Sequence, residues 1–204
     1  MPELPEVETT RLGLLPRLQG RALRRIVVRN PRLRWPVPDD LEARLAGLTL
    51  NLLVRRGKYL LFDFGSVTQI VHLGMSGSLR FAKPGEPAAL HDHVDWLFDD
   101  GITLRLRDPR RFGAVLWTDD VARHPLLAHL GPEPLTPAFD ATYLHAQCQR
   151  RSAAIKQVIM DAQVVVGVGN IYASESLFQA GIRPATVARR LSRPACARLA
   201  EAIR

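Results

Sequence analysis

The sequence has little cysteine, few aromatic side chains and no long apolar run. Its 204 residues include two cysteines, Cys148 and Cys196, and aromatic residues make up only 6% of the chain. Two distant cysteines without a pattern indicate neither a disulfide framework nor a zinc site. No stretch approaches the roughly 18 apolar residues of a membrane span, and the N-terminus lacks the apolar core of a signal peptide. We therefore expect a cytoplasmic protein, in or near the nucleoid, with no metal site and no membrane partner.

Acidic residues are the minority among the charged residues. Twenty Asp and Glu stand against 28 Lys and Arg, which gives a net charge of +8 and a pI of about 10.4. A surface this basic favours a polyanionic partner, although a ribosomal or membrane-surface protein would share the excess. With 47% apolar residues, the chain is expected to fold as one large domain or two small ones.

The first half of the chain has the pattern of an antiparallel sandwich or barrel behind an N-terminal helix. The helix is predicted over 5–18, and Pro16 is expected to end it early. Asp99-Asp100-Gly101 indicates a hairpin between two of the strands. The strands are predicted at 22–29, 48–55, 58–64, 68–73, 78–82, 93–98, 102–107 and 114–118.

The second half is predicted to be helical. Four prolines between His124 and Phe139 indicate a linker. The last predicted helix has no stop signal before Arg204, so we expect the parent chain to continue beyond it. The candidate helices cover 141–149, 153–160, 171–180 and 192–203.

The opening residues carry the strongest chemical signal. If Met1 is removed, Pro2 becomes a free secondary amine, and an α-amino group has a pKa of about 7.7–8.0. Such an amine can attack a carbonyl-type carbon and form an iminium ion, and Glu3 and Glu6 are placed to move protons nearby. The structural alternative is an ordinary Met-Pro start with two acids in the first turn of a helix.

Three loops combine cations, apolar tips and glycines. Lys58, after the turn at Arg56-Gly57, is either a solvated charge or a contact to phosphate or leaving group near Pro2. The loop 108–113 offers two arginines and Phe112, which suits phosphate binding and insertion into a base stack. Met75 lies between glycines as a second apolar tip. The alternatives are a structural hairpin loop and a core methionine.

Two further motifs have weaker signals. Gly167-Val168-Gly169-Asn170 precedes a predicted helix, with Asn170 as its expected N-cap, and could bind phosphate or form only a tight corner. His91-Asp92-His93 has the spacing of metal ligands, but no third ligand is evident. We therefore expect no metal there.

Six stretches, in this order, resemble bacterial formamidopyrimidine-DNA glycosylase, which excises 8-oxoguanine and ring-opened purines. They are PELPEVE at 2–8, GKYL at 57–60, HLGMSG at 72–77, HDH at 91–93, DPRRFG at 108–113 and GVGNIYA at 167–173. The resemblance implies an α+β fold: a catalytic antiparallel β-sandwich with an N-terminal helix over 1–123, a proline-rich linker over 124–139, and a helix-two-turn-helix DNA-binding domain over 140–204. It also implies double-stranded DNA with oxidised purines or abasic sites as partner, and a monomer.

Residue roles follow from the resemblance. Pro2 is the expected nucleophile at the sugar C1′, Glu3 the residue that protonates the ring oxygen, Glu6 its support, and Lys58 the proton donor in β-elimination. Two further sets are implied. Met75, Arg110 and Phe112 would fill the gap left by the flipped nucleotide, and phosphates would be bound by His91, Arg110, Arg151, Asn170 and Tyr172.

The chain departs from the family at its C-terminal side. The family carries one structural zinc in a four-cysteine finger, and the sequence has no Cys-x-x-Cys pair to form it. We therefore expect no cofactor in this chain, a helix-two-turn-helix domain that is incomplete, and weakened or absent activity of the chain alone.

Three other functions stay open at this point. An endonuclease VIII-like glycosylase for oxidised pyrimidines would share the fold, but Leu4 and the Met75 loop favour the purine enzyme. A non-catalytic remnant that binds damaged DNA would suit the missing finger, and the set Pro2, Glu3 and Lys58 argues against it. A generic basic RNA-binding protein is supported by charge alone.

Overall fold

A computed structural model describes residues 2–204. The chain divides into two compact units, the first ending at His124 and the second covering Pro125–Arg204. The proline-rich segment predicted as a linker is divided at this point, since 125–139 belongs to the second unit. In the described residues, no helix is long and apolar enough to cross a membrane.

The first unit begins with a helix, α1 (Leu4–Leu18), that starts at a capping box. The Glu6 carboxylate accepts a hydrogen bond from the Glu3 backbone N–H at 2.9 Å, and the Glu3 side chain accepts one from the Glu6 N–H. The buried face of α1 consists of Val7, Leu14 and Leu18. The prediction that Pro16 ends the helix early is wrong, because a proline in the last turn costs only one late hydrogen bond.

Within the part of the chain that the structure describes, eight antiparallel strands form two four-stranded sheets, which confirms the predicted sandwich. The strands are β1 (Leu23–Val28), β2 (Leu52–Arg56), β3 (Tyr59–Asp63), β4 (Thr68–His72), β5 (Ser78–Phe81), β6 (Asp92–Phe98), β7 (Thr103–Arg107) and β8 (Ala114–Thr118). Their orders in the two sheets are β1-β6-β7-β5 and β2-β3-β4-β8. The predicted hairpin at 99–101 joins β6 to β7, with Asp100 in the left-handed region at a φ of 57°.

One apolar core joins the two sheets and α1. It includes Trp96 and Leu104 from one sheet, Leu60 and Phe62 from the other, and Leu18 from the helix. A short helix, α2 (Leu41–Leu45), which the sequence did not predict, adds Leu41 and Leu45 to this core. Because α1 and the strands supply this core, polar side chains that could carry out chemistry are expected at the start of α1 and in the loops between strands.

The second unit is helical, in agreement with the predicted helix-two-turn-helix class. Its helices are α3 (Ala141–Gln149), α4 (Ile155–Met160), α5 (Asn170–Ala180) and α6 (Arg193–Ile203). Cys148 and Cys196 are free thiols buried in its core. Residues of the predicted linker pack here as well: the Gly131 N–H donates to the Ala162 carbonyl at 2.8 Å, and Phe139 is fully buried in the same core.

Candidate functional site

Two carboxylates have fixed positions at the beginning of the first unit. Glu3 is fully buried, and the capping box places its carboxylate and that of Glu6 at the N-terminus of α1. The partial positive charge of a helix N-terminus stabilises negative charge there. Pro2, half-buried, directly precedes them. An amine at Pro2 would therefore have a fixed, shielded acid next to it in the chain.

Lys58 is electrostatically coupled to these carboxylates. It lies in the turn between β2 and β3, where Gly57 has a φ of 58°. Burial lowers the pKa of the Lys58 ammonium, and the charges of Glu3 and Glu6 act in the opposite direction. A buried ammonium gives up its proton more readily than a solvated one. The structure thus brings the predicted Glu3, Glu6 and Lys58 into one electrostatic unit.

His72 also belongs to this region, although no pattern in the sequence predicted a role for it. It pairs with Tyr59 across β3 and β4, and the two rings lie 4.9 Å apart. Burial, with the positive charges of Lys58 and Arg34, lowers the pKa of His72 to about 4. The imidazole is therefore neutral at physiological pH, and its Nδ1 accepts a hydrogen bond from the Gly74 N–H at 3.0 Å.

The predicted apolar tips are exposed on two neighbouring loops. The exposed fraction is 43% for Met75 and 39% for Phe112. Arg110 is also exposed, and its guanidinium lies over the Phe112 ring, 4.6 Å from the centroid. The structure contradicts the alternative in which Met75 is a core residue. Apolar side chains held out of the core next to a cation suit insertion into stacked bases.

Backbone contact holds these two loops together. Gly74 has a φ of 62°, and a Cβ at this position would overlap the carbonyl group of Phe112. A Cβ on Gly113 would lie 2.8 Å from the His72 carbonyl oxygen. Only glycine allows backbones to approach this closely at both positions. The glycines that flank the apolar tips therefore fix the spacing between the tips.

Replacing Gly74 with alanine tests this contact. We expect Gly74→Ala to lower the free energy of unfolding by about 3 kcal/mol or more, since strained backbone and a backbone clash add together. Gly85→Ala is the matched control, because Gly85 also has a positive φ, 73°, but nothing lies within 4 Å of its Cβ position. The control should cost only about 1 kcal/mol in urea unfolding. Equal costs would contradict the close contact.

An open pocket next to Phe112 is lined by four arginines, Arg32, Arg34, Arg110 and Arg111. The backbone N–H of Arg34 donates to the Gly113 carbonyl at 3.2 Å. This hydrogen bond connects the segment with Arg32 and Arg34 to the loop with Arg110 and Arg111. Other arginines of this unit are neutralised, for example Arg29 and Arg105 by Asp95. Within residues 2–204, none of the four pocket arginines has a carboxylate at ion-pair distance. Such a pocket suits phosphate. Arg32 and Arg34 lie outside the motifs, so no pattern in the sequence predicted them as part of the site.

The His91-Asp92-His93 stretch packs beside these loops and contacts Asp108. His91 is half-buried, and its carbonyl accepts a hydrogen bond from the Asp108 N–H at 3.0 Å. His93 is buried, with its ring Nε2 2.9 Å from the Asp108 carbonyl oxygen. Asp92 is fully enclosed near Arg105. Among the described residues, no cluster of metal ligands is present.

The remaining predicted phosphate contacts belong to the second unit. Asn170 and Tyr172 are exposed in the first turn of α5. The predicted N-cap at Asn170 is wrong by one residue, because Gly169 has the extended backbone of the cap and Asn170 is the first helical residue. Arg151 is half-buried and donates from Nη1 to the backbone and side-chain oxygens of Gln147.

Two family models match the chain. The formamidopyrimidine-DNA glycosylase N-terminal domain matches residues 1–115, and the formamidopyrimidine-DNA glycosylase H2TH domain matches residues 130–204. Among curated proteins, the formamidopyrimidine-DNA glycosylase of Thiobacillus denitrificans is 76% identical over the whole chain, which covers 76% of that protein. The enzyme of the same name from Thioalkalivibrio sulfidiphilus is 59% identical, again over the whole chain and 76% of the relative.

Solved structures that resemble this chain belong to the same family as these relatives. The MutM (Fpg) protein of Thermus thermophilus has a TM-score of 0.88 and 38% identity over 99% of this chain and 73% of that one. The formamidopyrimidine-DNA glycosylase of Lactococcus lactis, bound to DNA with an abasic site, has a TM-score of 0.92 and 33% identity, covering 98% of this chain and 78% of that one. A further neighbour is MutM in complex with DNA that contains carbocyclic 8-oxo-G, with a TM-score of 0.92 and 34% identity over 99% of this chain and 76% of that chain.

Proposed function

The chain belongs to the formamidopyrimidine-DNA glycosylase family, and we propose that its reaction begins at the amine of Pro2. It is a base-excision-repair DNA glycosylase and abasic-site lyase that binds damaged DNA. The neighbours' complexes with abasic and 8-oxo-G DNA support oxidised purines as substrates, and no comparison favours the pyrimidine enzyme. The observation that carries the mechanism is the capping box that fixes the buried Glu3 and Glu6 directly after Pro2, and the charges of these two carboxylates act on Lys58.

The first step replaces the glycosidic bond with a bond to the protein. The Pro2 nitrogen donates its lone pair to C1′ and loses its proton to the Glu3 carboxylate, while the damaged base leaves with the electron pair of the C1′–N bond and takes up a proton from water. Glu3 protonates the ring oxygen as the C1′–O bond breaks, which opens the sugar and leaves an iminium ion between Pro2 and C1′. Glu6 holds the backbone N–H of Glu3 and so fixes the position of the acid.

The second step breaks the DNA strand. The iminium ion withdraws electrons from C2′, which loses a proton to a carboxylate, and the phosphate on C3′ leaves with the C3′–O electron pair. Lys58 contributes a cation beside the leaving phosphate and a proton that burial makes easier to release. Water then hydrolyses the iminium ion and restores the Pro2 amine. The amine, the carboxylates and the lysine supply every step, so the proposed chemistry needs no cofactor in this chain.

The exposed loops hold the DNA in the reactive state. Unstacking a nucleotide costs a few kcal/mol, and a wedge in the vacated space offsets that cost. Met75, Arg110 and Phe112 are proposed as the wedge, because they are the exposed apolar tips and the cation stacked on one of them. Phosphate contacts are assigned to His91 and Arg110 in the first unit and to Arg151, Asn170 and Tyr172 in the second. We propose that this work takes place at the chromosome, in the cytoplasm.

Trapping with borohydride tests the proposal. Reduction of the iminium ion should leave a stable bond between Pro2 and a duplex carrying 8-oxoguanine or a pre-formed abasic site, detected by mass spectrometry of the N-terminal peptide. A thymine glycol duplex is the comparison substrate and should react more slowly. An adduct on a lysine instead of Pro2, in protein that begins at Pro2, would overturn the mechanism.

A further inference from the structure

A buried carboxylate that the proposed reaction does not use joins the two loops of the wedge. Asp108 is fully buried. Its Oδ1 accepts a hydrogen bond from the Ser76 hydroxyl at 2.6 Å, and its Oδ2 accepts one from the Gly113 N–H at 2.8 Å. Hydrogen bonds to an ionised acceptor are shorter and roughly twice as strong as neutral ones. One carboxylate therefore links residue 76 on one loop to residue 113 on the other.

The Ser76 hydroxyl extends the link to a third backbone position. While it donates to Asp108, its oxygen accepts a hydrogen bond from the Arg110 N–H at 3.1 Å. Ser76 follows Met75 directly, and Gly113 follows Phe112. The Asp108–Ser76 pair thus holds Arg110 directly through its backbone N–H. It holds Met75 and Phe112 through their neighbours, Ser76 and Gly113.

The pair is itself anchored to the sheet. The backbone N–H of Asp108 donates to the His91 carbonyl at 3.0 Å, and its carbonyl oxygen accepts from the Arg111 N–H at 3.1 Å. The ring of His93, at the start of β6, lies 2.9 Å from the same carbonyl oxygen. Asp108 therefore has a fixed position relative to the sheet, and the loops are fixed through it.

We propose that Asp108 and Ser76 are positioning residues, which hold Met75, Arg110 and Phe112 in the arrangement that enters the base stack. The inference rests on the proposed function. A wedge on mobile loops would lose conformational entropy when it enters DNA, and that loss would reduce the advantage of damaged over intact DNA. A wedge that is ordered beforehand avoids the loss. Asp108 and Ser76 thus act through the wedge and not on the reacting atoms.

Ser76→Ala is the variant that tests the link, because it removes one hydroxyl and leaves the buried carboxylate with Gly113. We expect its affinity for a duplex with a tetrahydrofuran abasic analogue to fall roughly tenfold, the effect of one lost charge-assisted hydrogen bond. Affinity for the undamaged duplex and borohydride trapping at a single-stranded abasic site should stay unchanged. Ser76→Thr keeps the hydroxyl and should restore the preference. Ser78→Ala, at an exposed serine two residues away, is the control.

Amide hydrogen exchange gives a readout that needs no DNA. In Ser76→Ala the amide of Arg110 should exchange faster, while amides of β6 and β7 keep their protection. A variant that keeps the preference for the abasic duplex, or that weakens binding to both duplexes equally, would overturn the inference. If the unmodified protein shows no such preference, the proposed function fails instead, and unchanged exchange at Arg110 would separately refute the link.

Discussion

Protein that retains Met1 is expected to lose both base excision and strand cleavage. With Met1 in place, the nitrogen of Pro2 is part of a tertiary amide, and its lone pair is delocalised into the carbonyl group. Removal of a catalytic nucleophile costs enzymes several orders of magnitude in rate, so we expect a fall of roughly 1,000-fold or more in single-turnover excision of 8-oxoguanine. The same fall is expected for cleavage at a pre-formed abasic site, because both steps pass through the Pro2 amine.

The comparison needs two preparations of one sequence. Inhibition of methionine aminopeptidase during expression yields protein that begins at Met1, and later treatment with the purified aminopeptidase yields protein that begins at Pro2. The treatment should restore both activities, whereas affinity for a tetrahydrofuran duplex should change less than about twofold, since loops and not the terminus carry the wedge. Full activity before the treatment would show that another amine is the nucleophile.

The sequence predicted which strands exist better than how they pair. The short strand-like runs on either side of the turn at 99–101 identified β6 and β7, because the turn and the runs are local signals. The pairing of β1 with β6 lies outside such signals: the partners are about 70 residues apart, and many edges could accept a strand of this pattern. The five-residue helix α2 was missed because it is too short to show a helical period.

The sequence likewise predicted residues with distinctive chemistry and missed those that act by position. Glu3 and Lys58 were found from their types and their motifs. Ser76 and Asp108 lie in two of the motifs, but no local pattern gives them a role, because they meet only when the chain returns 32 residues later. The lowered pKa of His72 arises from burial and from cations on other elements, which no single stretch of sequence contains. The properties of Ser76, Asp108 and His72 thus depend on where the fold places these residues and not on residue type alone.

Lys58→Met is expected to lower activity and to raise stability at the same time. Burial lowers the pKa of Lys58 in the folded state below its ordinary value near 10.5, so the unfolded chain binds the proton more tightly. The protonated lysine therefore destabilises the fold at every pH below both pKa values, and this penalty shrinks as pH rises through the folded pKa. Methionine fills a similar volume without a charge. Its stability advantage should be largest near neutral pH and should fade in alkaline solution.

The positive charge of Lys58 lowers the stability of the fold, but the proposed reaction needs this charge and its proton. Loss of a positioned proton donor reduces rates by about 100-fold to 10,000-fold, and we expect Lys58→Met to fall in this range for cleavage at abasic sites. Urea unfolding at about pH 7 and about pH 10 measures the stability difference, with each value compared at the same pH. Lys83→Met is the control, since Lys83 is exposed and should change neither quantity. If Lys58→Met instead loses stability near neutral pH, attraction to Glu3 and Glu6 outweighs burial, and Lys58 is mainly a structural cation. If stability rises while cleavage is unchanged, the lysine is not the proton donor.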